Sequence, residues 1–327
     1  ALGAKRSEIV FTSGGTEADN LAVLGRARAA TTGEQRAVIV CSAVEHKAVL
    51  SAVKAAAHDF ATAIIVAVDS NGVIDLHALR QALLERPAVV AVMWVNNEVG
   101  TIQPVREIAD LCAEAGVPFH TDAIQAFGRV PVQLNDGITS LAVSGHKLGA
   151  PKGIGALFVR SGLAVTSTQF GGSQERGIRP GTENVAYAVG LSVAIELAAR
   201  EQASEAVRLA ALRDRLQQSL EANIPDLLVN AAGAARAPHI LNVSLKGIEQ
   251  DALLVSLDLE GIAVSTASAC QSGAAEPSHV LVAMGRGTED DAALRMSLGR
   301  TTTETEIEYV GTRLPAIVER IRNYAHA

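Results

Sequence analysis

A lysine that follows a predicted strand is the residue in this chain with the clearest chemical potential. Lys147 comes directly after the apolar run SLAVSG, close to Ser144 and next to His146. An amine that attacks a carbonyl must be neutral, and a partly buried, electropositive site favours that form. A solvated surface lysine is the alternative. Because ligands of α/β sheets bind at the carboxyl ends of the strands, the position of Lys147 favours a covalent role.

Two further polar segments also follow predicted strands. Asp122 ends the run PFHTDA, with Gln125 close behind it, and an aspartate there could keep a pyridinium nitrogen protonated. The run IVFTS leads into SGGTE (13–17), a glycine turn that opens a helix and whose N–H groups suit a phosphate. The alternatives are a helix cap at Asp122 and an ordinary capped turn, since the Walker lysine and GxGxxG spacing are absent. Taken together, the lysine, the aspartate and the phosphate turn indicate pyridoxal 5′-phosphate.

Three other side chains are candidates for the same site. His46 follows the run AVIVCS and could stack on a cofactor ring or move a proton, although a histidine that begins a helix is the commoner case. Asn97 follows AVVAVMWV, where an amide could bind a cofactor hydroxyl or simply form a turn. Arg295 lies in the apolar strand ALRMSLG and should therefore face a carboxylate, either of a substrate or of an internal acid.

The three cysteines have different surroundings. Cys270 lies in STASACQSG, whose small residues are typical of a loop, so its thiol is a candidate nucleophile, with an unreactive small residue as the alternative. Cys41 in a strand and Cys112 on an apolar helix face are predicted to be core residues. No CxxC pair occurs, so the sequence predicts neither a disulfide framework nor a metal site.

The predicted strands and helices that carry these residues follow an α/β pattern. From residue 9 to 160 short apolar strands alternate with helices, which predicts a large domain with a mostly parallel, helix-covered sheet. Hydrophobic residues make up 48% of the 327 residues and aromatic residues only 3%, as expected for close packing of aliphatic side chains. After a long helical pattern, the remainder reads as a smaller α+β domain. The predicted domains are 1–200, which binds the cofactor, and 201–327, which carries the cysteine loop.

Charge and hydropathy exclude several classes of protein. The formal net charge is -7 and no block of Lys and Arg occurs, which disfavours direct binding to nucleic acid. The most apolar run, AVVAVMWV, is far shorter than the roughly 20 residues that span a bilayer. We therefore predict a cytoplasmic protein without membrane contact.

In their order along the chain, these motifs resemble those of the cysteine desulfurases, which are fold-type-I pyridoxal-phosphate enzymes related to class V aminotransferases. The resemblance extends along nearly the whole chain, although the DNAATT-like segment with which these proteins usually begin is not present. It is carried by FTSGGTEADN, VEHKAV, VNNEVGTIQP, HTDAIQA, SGHKLGAPKGIGAL, ERGIRPGTENV, SACQSG and LRMSLGRTTTETEI.

The resemblance implies a role for each matching residue around the cofactor ring. Lys147 would form the Schiff base, and Asp122 would be the partner of the pyridine nitrogen. Gln125 and Asn97 would contact the ring hydroxyl and the substrate side, and His46 would stack on the ring and take part in proton transfer near sulfur. A separate group would hold the phosphate: Gly15, Thr16, Ser144 and His146.

The resemblance also implies a substrate, a partner subunit and a sulfur acceptor. Arg295 would bind the carboxylate of L-cysteine, and Cys270 would take the sulfur as a persulfide while alanine leaves. Thr182 would reach the phosphate in the other subunit of a homodimer. The persulfide would pass to an acceptor protein, with iron–sulfur cluster assembly, tRNA thiolation and DNA sulfur modification as alternative destinations. A class V aminotransferase, a selenocysteine lyase and a non-catalytic sulfur-transfer scaffold are the competing interpretations.

Overall fold

The protein divides into two compact units. The computed structural model describes residues 1–31, 33, 35–266, 277–286 and 291–325. The first unit contains residues 1–68, 73–96 and 103–202, and the second contains residues 69–72, 97–102 and 203–327. The assignment of 1–200 and 201–327 to two functional domains stays a prediction. The short segment 97–102 packs with the second unit, so Asn97 belongs to that unit rather than to the first.

The first unit is built on a sheet of seven strands in the order β1-β7-β6-β5-β4-β2-β3. Strands β2, β3, β4, β5 and β6 are parallel to one another, whereas β7 is antiparallel to both β6 and β1. The strands are β1 (Ile9–Thr12), β2 (Ala37–Ser42), β3 (Ala61–Val66), β4 (Val89–Ala91), β5 (Phe119–Asp122), β6 (Ile138–Ser144) and β7 (Gly155–Val159).

Helices connect these strands and cover the sheet. The first runs as α1 (Gly15–Asn20), a π-helical turn (Leu21–Gly25) and α2 (Arg26–Ala30). The others in this unit are α3 (Lys47–Asp59), α4 (Leu76–Leu83), α5 (Val105–Glu114) and the first part of α6 (Val185–Asn223). Small aliphatic residues on α3 and β2, such as Ala52, Ala56 and Ile39, pack into one buried cluster. Alanine-rich faces allow the helices to approach the strands closely, as the composition predicts.

The second unit has a smaller, wholly antiparallel sheet in the order β10-β11-β9-β8. Its strands are β8 (Leu227–Val229), β9 (Ile240–Lys246), β10 (Ser265–Thr266) and β11 (Asp291–Ser297). Its helices are the second part of α6, together with α7 (Gln250–Leu259), α8 (His279–Ala283) and α9 (Glu304–Ala325). Leucines of α6 and α7 and the alternate residues of β9 and β11 form its core.

The predicted fold class is confirmed, with differences in detail. The run AVVAVMWV forms only a three-residue strand, Val89–Ala91, although Val92 and Trp94 still donate backbone hydrogen bonds to His120 and Asp122 of β5. Strand β8 was not predicted, since three residues give too short a pattern. The apolar run IAVST (262–266) forms strand only at Ser265–Thr266. Within the described part of the chain, no helix is both long and apolar enough to cross a membrane.

Candidate active site

The carboxyl ends of β5 and β6 bring the predicted aspartate and lysine to the same edge of the sheet. The strands are parallel and pair Asp122 with Ala142, two residues before Ser144 ends β6. A single 3-10 turn, Gly145–Lys147, follows directly. Asp122 is buried, whereas Lys147 is exposed. A buried acid and an accessible amine therefore lie at the edge where the sequence predicts a cofactor.

The buried position of Asp122 determines its electrostatics. Its Oδ1 accepts a hydrogen bond from the N–H of Ile124 at 2.8 Å. Burial, reinforced by the Asp19 carboxyl, raises the pKa of Asp122 well above its usual value, while the Ile124 N–H, His120 and Lys147 act in the opposite direction. A cationic partner stabilises the ionised form of a buried carboxyl group, and a pyridinium nitrogen would be such a partner.

The glycine turn before α1 lies against Ser144. A Cβ atom on Gly15 would stand 2.0 Å from Cδ1 of Ile124 and 3.5 Å from Cβ of Ser144. On the other side, a Cβ atom on Gly155 of β7 would stand 2.8 Å from the backbone of Gly14. Only glycines permit this approach, which brings the N-terminus of α1 beside the hydroxyl of Ser144. Thr16, in the first turn of α1, is exposed.

The donors beside this turn suit an anion. The hydroxyl of Ser144 lies 2.9 Å from Nδ1 of His146. Partial burial and the charges of Lys147 and Lys152 lower the pKa of His146, so its ring is neutral at neutral pH. Hydroxyl, imidazole and helix N–H groups together form a donor set typical of phosphate sites. The residues present therefore fit the phosphate of pyridoxal 5′-phosphate.

His46 occupies the commoner of its two predicted positions, the beginning of a helix. It is the N-cap of α3, and its Nδ1 accepts a hydrogen bond from the N–H of Ala48 at 3.1 Å. The preceding turn is held by Asn96, whose amide donates to the carbonyl of Val44 at 2.9 Å. Because Nδ1 is an acceptor, the neutral ring carries its proton on Nε2. A role for His46 on a cofactor ring stays a prediction.

The segment that contains Thr182 is tied to α1 by an ion pair. Arg179 Nε lies 2.7 Å from a carboxylate oxygen of Glu17. Although burial acts to raise it, hydrogen bonds from Arg179 and Ser13 lower the pKa of Glu17. Thr182 itself is exposed and Gln125 is half-buried, in the turn after Asp122. Neither position contradicts its predicted role, and neither tests it.

The second unit holds the predicted substrate-binding residues. Arg295 lies on β11, between Ser265 of β10 and Asn242 of β9. Its Nη1 donates to the carbonyl of Asn97 at 3.1 Å, and its buried Nε has no hydrogen-bond partner among the described residues. A guanidinium N–H without an acceptor is costly, and a bound carboxylate would satisfy it.

Two of the three cysteines are core residues, as the sequence predicts. Cys41 and Cys112 are free and buried. Burial raises the pKa of both thiols, to about 12 for Cys112, so neither is reactive at neutral pH. Cys270 lies outside the described residues, and its predicted role as the nucleophile stays a prediction.

The sequence analysis missed a buried polar cluster beside Asp122. Asp19 on α1, Glu45 before His46 and His120 on β5 are all at most 1% exposed. One signal was available: His120 precedes Asp122 by two residues on one strand, which places both side chains on the same face. Asp19 and Glu45 carry no such signal, because only tertiary packing brings them to that face.

Comparison with known proteins places the chain in a family. Residues 1–310 match the family model described as aminotransferase class-V. A cysteine desulfurase from Nostoc sp. is 46% identical over 323 residues, which are 98% of this chain and 80% of that protein. A solved structure described as a NifS-like protein superposes with a TM-score of 0.88 at 33% identity and covers 97% of this chain and 84% of its own.

A second solved structure, described as SspA in complex with cysteine, is 32% identical with a TM-score of 0.75, and the match covers 91% of this chain and 83% of that one. The chain belongs to the aminotransferase class-V family. Within that family it groups with the cysteine desulfurases, which confirms the resemblance, the enzyme class and the pyridoxal-phosphate dependence that the motifs predict.

Proposed function

We propose that the protein releases alanine from L-cysteine and keeps the sulfur as a persulfide on Cys270. The observation that carries this proposal is that buried Asp122 and exposed Lys147 lie at the carboxyl ends of adjacent strands, beside a glycine turn that fits a phosphate. The reaction balances without another oxidant: the C–S bond of cysteine breaks, an S–S bond forms, and the thiol proton passes to the carbon that becomes the methyl group of alanine.

The residues of the first unit bind the coenzyme and move protons. When bound, pyridoxal 5′-phosphate serves as an electron sink for the substrate α-carbon. Asp122 would hold the ring nitrogen in its cationic form, and the amine of Lys147 would attach the coenzyme and then carry the α-proton. Gly15, Thr16, Ser144 and His146 would bind the phosphate, and Gln125 would contact the ring hydroxyl.

The residues of the second unit and His46 act on the substrate. The Nε of Arg295, which has no acceptor within the described chain, binds the cysteine carboxylate, and Asn97 lies on the substrate side. His46 would stack on the ring and take part in proton transfer near sulfur, while its Nδ1 caps α3. Cys270 attacks the substrate sulfur as a thiolate. The similar structure that is described with cysteine supports this choice of substrate.

A second copy of the chain completes the site in our proposal. Val185, Val189 and Val193 lie four residues apart on α6, and each is more than half exposed. This spacing places them on one face of the helix, and an apolar stripe of this kind is typical of a subunit interface. The stripe begins three residues after Thr182, so a dimer formed there would carry Thr182 towards the phosphate of the partner subunit.

The sulfur acceptor and the compartment follow from the chemistry of the persulfide. We propose that an acceptor protein takes the outer sulfur by thiol exchange, for iron–sulfur cluster assembly or another sulfur pathway. Cys270 must be reduced before each turnover, which favours the cytoplasm. L-cysteine is the small-molecule partner, and no nucleic acid or membrane takes part in the reaction.

Two substitutions with matched controls test this function. Cys270→Ala should keep the visible absorbance of the bound coenzyme but lose sulfide release from cysteine under a reductant, whereas Cys112→Ala should keep both. Lys147→Ala should lose that absorbance, whereas Lys152→Ala, which changes an exposed lysine nearby, should keep it. Undiminished sulfide release in Cys270→Ala would remove that thiol from the mechanism. Turnover that requires an α-keto acid, or strong preference for selenocysteine, would favour the competing interpretations.

A further inference from the structure

Asp122 is one of three carboxyl groups that form a buried cluster with one histidine. Asp19 is 0% exposed, Glu45 and His120 are each 1% exposed, and Asp122 is 5% exposed. Of these four groups only Asp122 has a part in the proposed reaction. Ionisable side chains are rarely buried so completely unless they serve a function, and clusters of this kind are typical of sites that control protonation.

His120 connects the cluster. Its Nε2 lies 3.2 Å from Oδ1 of Asp19, and its Nδ1 lies 3.0 Å from the hydroxyl of Ser140. Burial lowers the pKa of His120 to about 4, so the imidazole is neutral at neutral pH. A neutral imidazole can donate Nε2–H to Oδ1 of Asp19 while Nδ1 accepts the Ser140 hydroxyl proton. The ring therefore holds Asp19 in place without adding a positive charge beside it.

Asp19 is poorly explained as a structural residue. Its Oδ2 has no hydrogen-bond partner among the described residues, and burial raises the pKa of Asp19 well above its usual value. An asparagine would accept the same hydrogen bond from His120 and would avoid the cost of a buried charge. A titratable group at this position is therefore better explained by its effect on a neighbour.

That neighbour is Asp122. His120 and Asp122 alternate on β5 and share one face of the sheet, and Asp19 reaches that face from α1. The charged and titratable groups that act on Asp122 are Asp19, His120 and Lys147, and Glu45 interacts with both aspartates. A negative charge on Asp19 opposes ionisation of Asp122 unless a cation lies in front of Asp122.

We propose that Asp19, held by His120, is a positioning residue whose negative charge raises the proton affinity of the site that Asp122 and the bound coenzyme would share. It does not touch the coenzyme or the substrate. The inference rests on the proposed function, because it requires pyridoxal 5′-phosphate in front of Asp122. Its measurable consequence is that removal of the Asp19 charge lowers the pH at which the coenzyme's visible absorbance titrates.

The test is a pH titration of the visible spectrum of the holoenzyme. Asp19→Asn keeps the acceptor for His120 and removes only the charge, so the titration midpoint should fall by roughly one pH unit, which is the order of effect expected when a nearby unit charge is removed. Asp110→Asn removes an exposed carboxylate of the same unit and should leave the midpoint unchanged. Turnover of cysteine should fall in kcat rather than rise in KM, since no substrate contact is lost.

A second variant separates charge from geometry. His120→Gln can still bridge Ser140 and Asp19 but cannot titrate, so its midpoint should move by less than half of the Asp19→Asn shift. An unchanged midpoint in Asp19→Asn, or an equal shift in both variants, would overturn the inference. A wild-type protein without visible coenzyme absorbance would instead contradict the proposed function. A merely structural role for Asp19 would lower the melting temperature and leave the midpoint where it was.

Discussion

A single histidine can serve both the local fold and the proposed chemistry when its two nitrogens are used separately. Nδ1 of His46 accepts the N–H of Ala48 and so caps α3, whereas the proposed function uses Nε2, on the other side of the ring. The sequence indicated both uses but could not choose between them, because a cap depends on backbone angles that the residue type does not fix.

Substitution of His46 should separate these two uses. His46→Asn keeps an N-cap acceptor, so we expect the thermal unfolding midpoint to stay close to that of the wild type, while sulfide release falls at least tenfold. His46→Ala should lose activity to the same extent and also about 1 kcal/mol of stability. Calorimetry and a sulfide assay measure both effects. If His46→Asn has full activity, the histidine is only a cap.

Glu45 should give the protein an unusual pH dependence. Burial raises the pKa of Glu45 to about 8, with the hydrogen bonds from Ser42 and from the Met93 N–H acting against it and the charges of Asp122 and Asp19 adding to it. The folded state therefore holds a proton that the unfolded state has already released, and stability falls as the pH rises from about 4.5 to about 8.

The variant Glu45→Gln removes this penalty while its Oε1 can still accept from Ser42 and Met93. We expect its unfolding midpoint to gain on the wild type steadily from pH 5 to pH 8, by at most about 1.4 kcal/mol of stability per pH unit. Glu114→Gln, at an exposed position on α5, should show no such trend. Parallel melting curves for Glu45→Gln and wild type would show that Glu45 is ionised in the folded protein.

At the scale of elements, the site depends on how closely α1 approaches β7. Backbone atoms of Gly14 lie where a side chain on Gly155 would begin, so this helix and strand can meet only because residue 155 is a glycine. The motif GGTE drew attention to the first pair of glycines. Gly155, which is 140 residues further along, offered no signal, because its partner is set by strand order rather than by local sequence.

Gly155→Ala should therefore damage the phosphate site. The added Cβ would lie 2.8 Å from the backbone of Gly14, and a backbone cannot rotate away as a side chain can. We therefore expect a loss of about 1–3 kcal/mol in stability and weaker retention of the coenzyme on dialysis. Gly299→Ala places its Cβ in open space and should change neither property. Full retention of the coenzyme by Gly155→Ala would show that the turn can shift without harm.

The elements that were predicted well are those with long periodic patterns. The strands of the parallel sheet between residues 9 and 160 were found from runs that are apolar on both faces. Strand β4 is shorter than the apolar run that predicted it, and β8 was missed, since three residues carry no period. Residues on strand ends could be placed from the fold rule, whereas Asp19 and Glu45 required tertiary packing.

For the whole molecule, the exposed stripe on α6 leads to a prediction about assembly. Val189→Glu places a charge in the middle of the proposed interface, so we expect a dimer to dissociate in analytical ultracentrifugation and coenzyme binding to weaken as the partner's phosphate contact is lost. Val189 is 59% exposed, and Val255 on α7, at 60%, provides a matched control whose change to Glu should leave assembly intact. An unchanged sedimentation coefficient for Val189→Glu would place the interface elsewhere.

The second unit is assembled from three separate stretches of chain, and this has a consequence for synthesis. The side chains of Arg295 and Asn242 bind the carbonyls of Asn97 and Glu98, and Ser278 binds the Glu98 carboxylate. The ribosome therefore makes residues 97–102 more than a hundred residues before the strands that receive them. Expression of 203–327 alone should give a poorly folded fragment. Fusion or duplication of the gene segment for these residues alone should therefore not produce a folded domain.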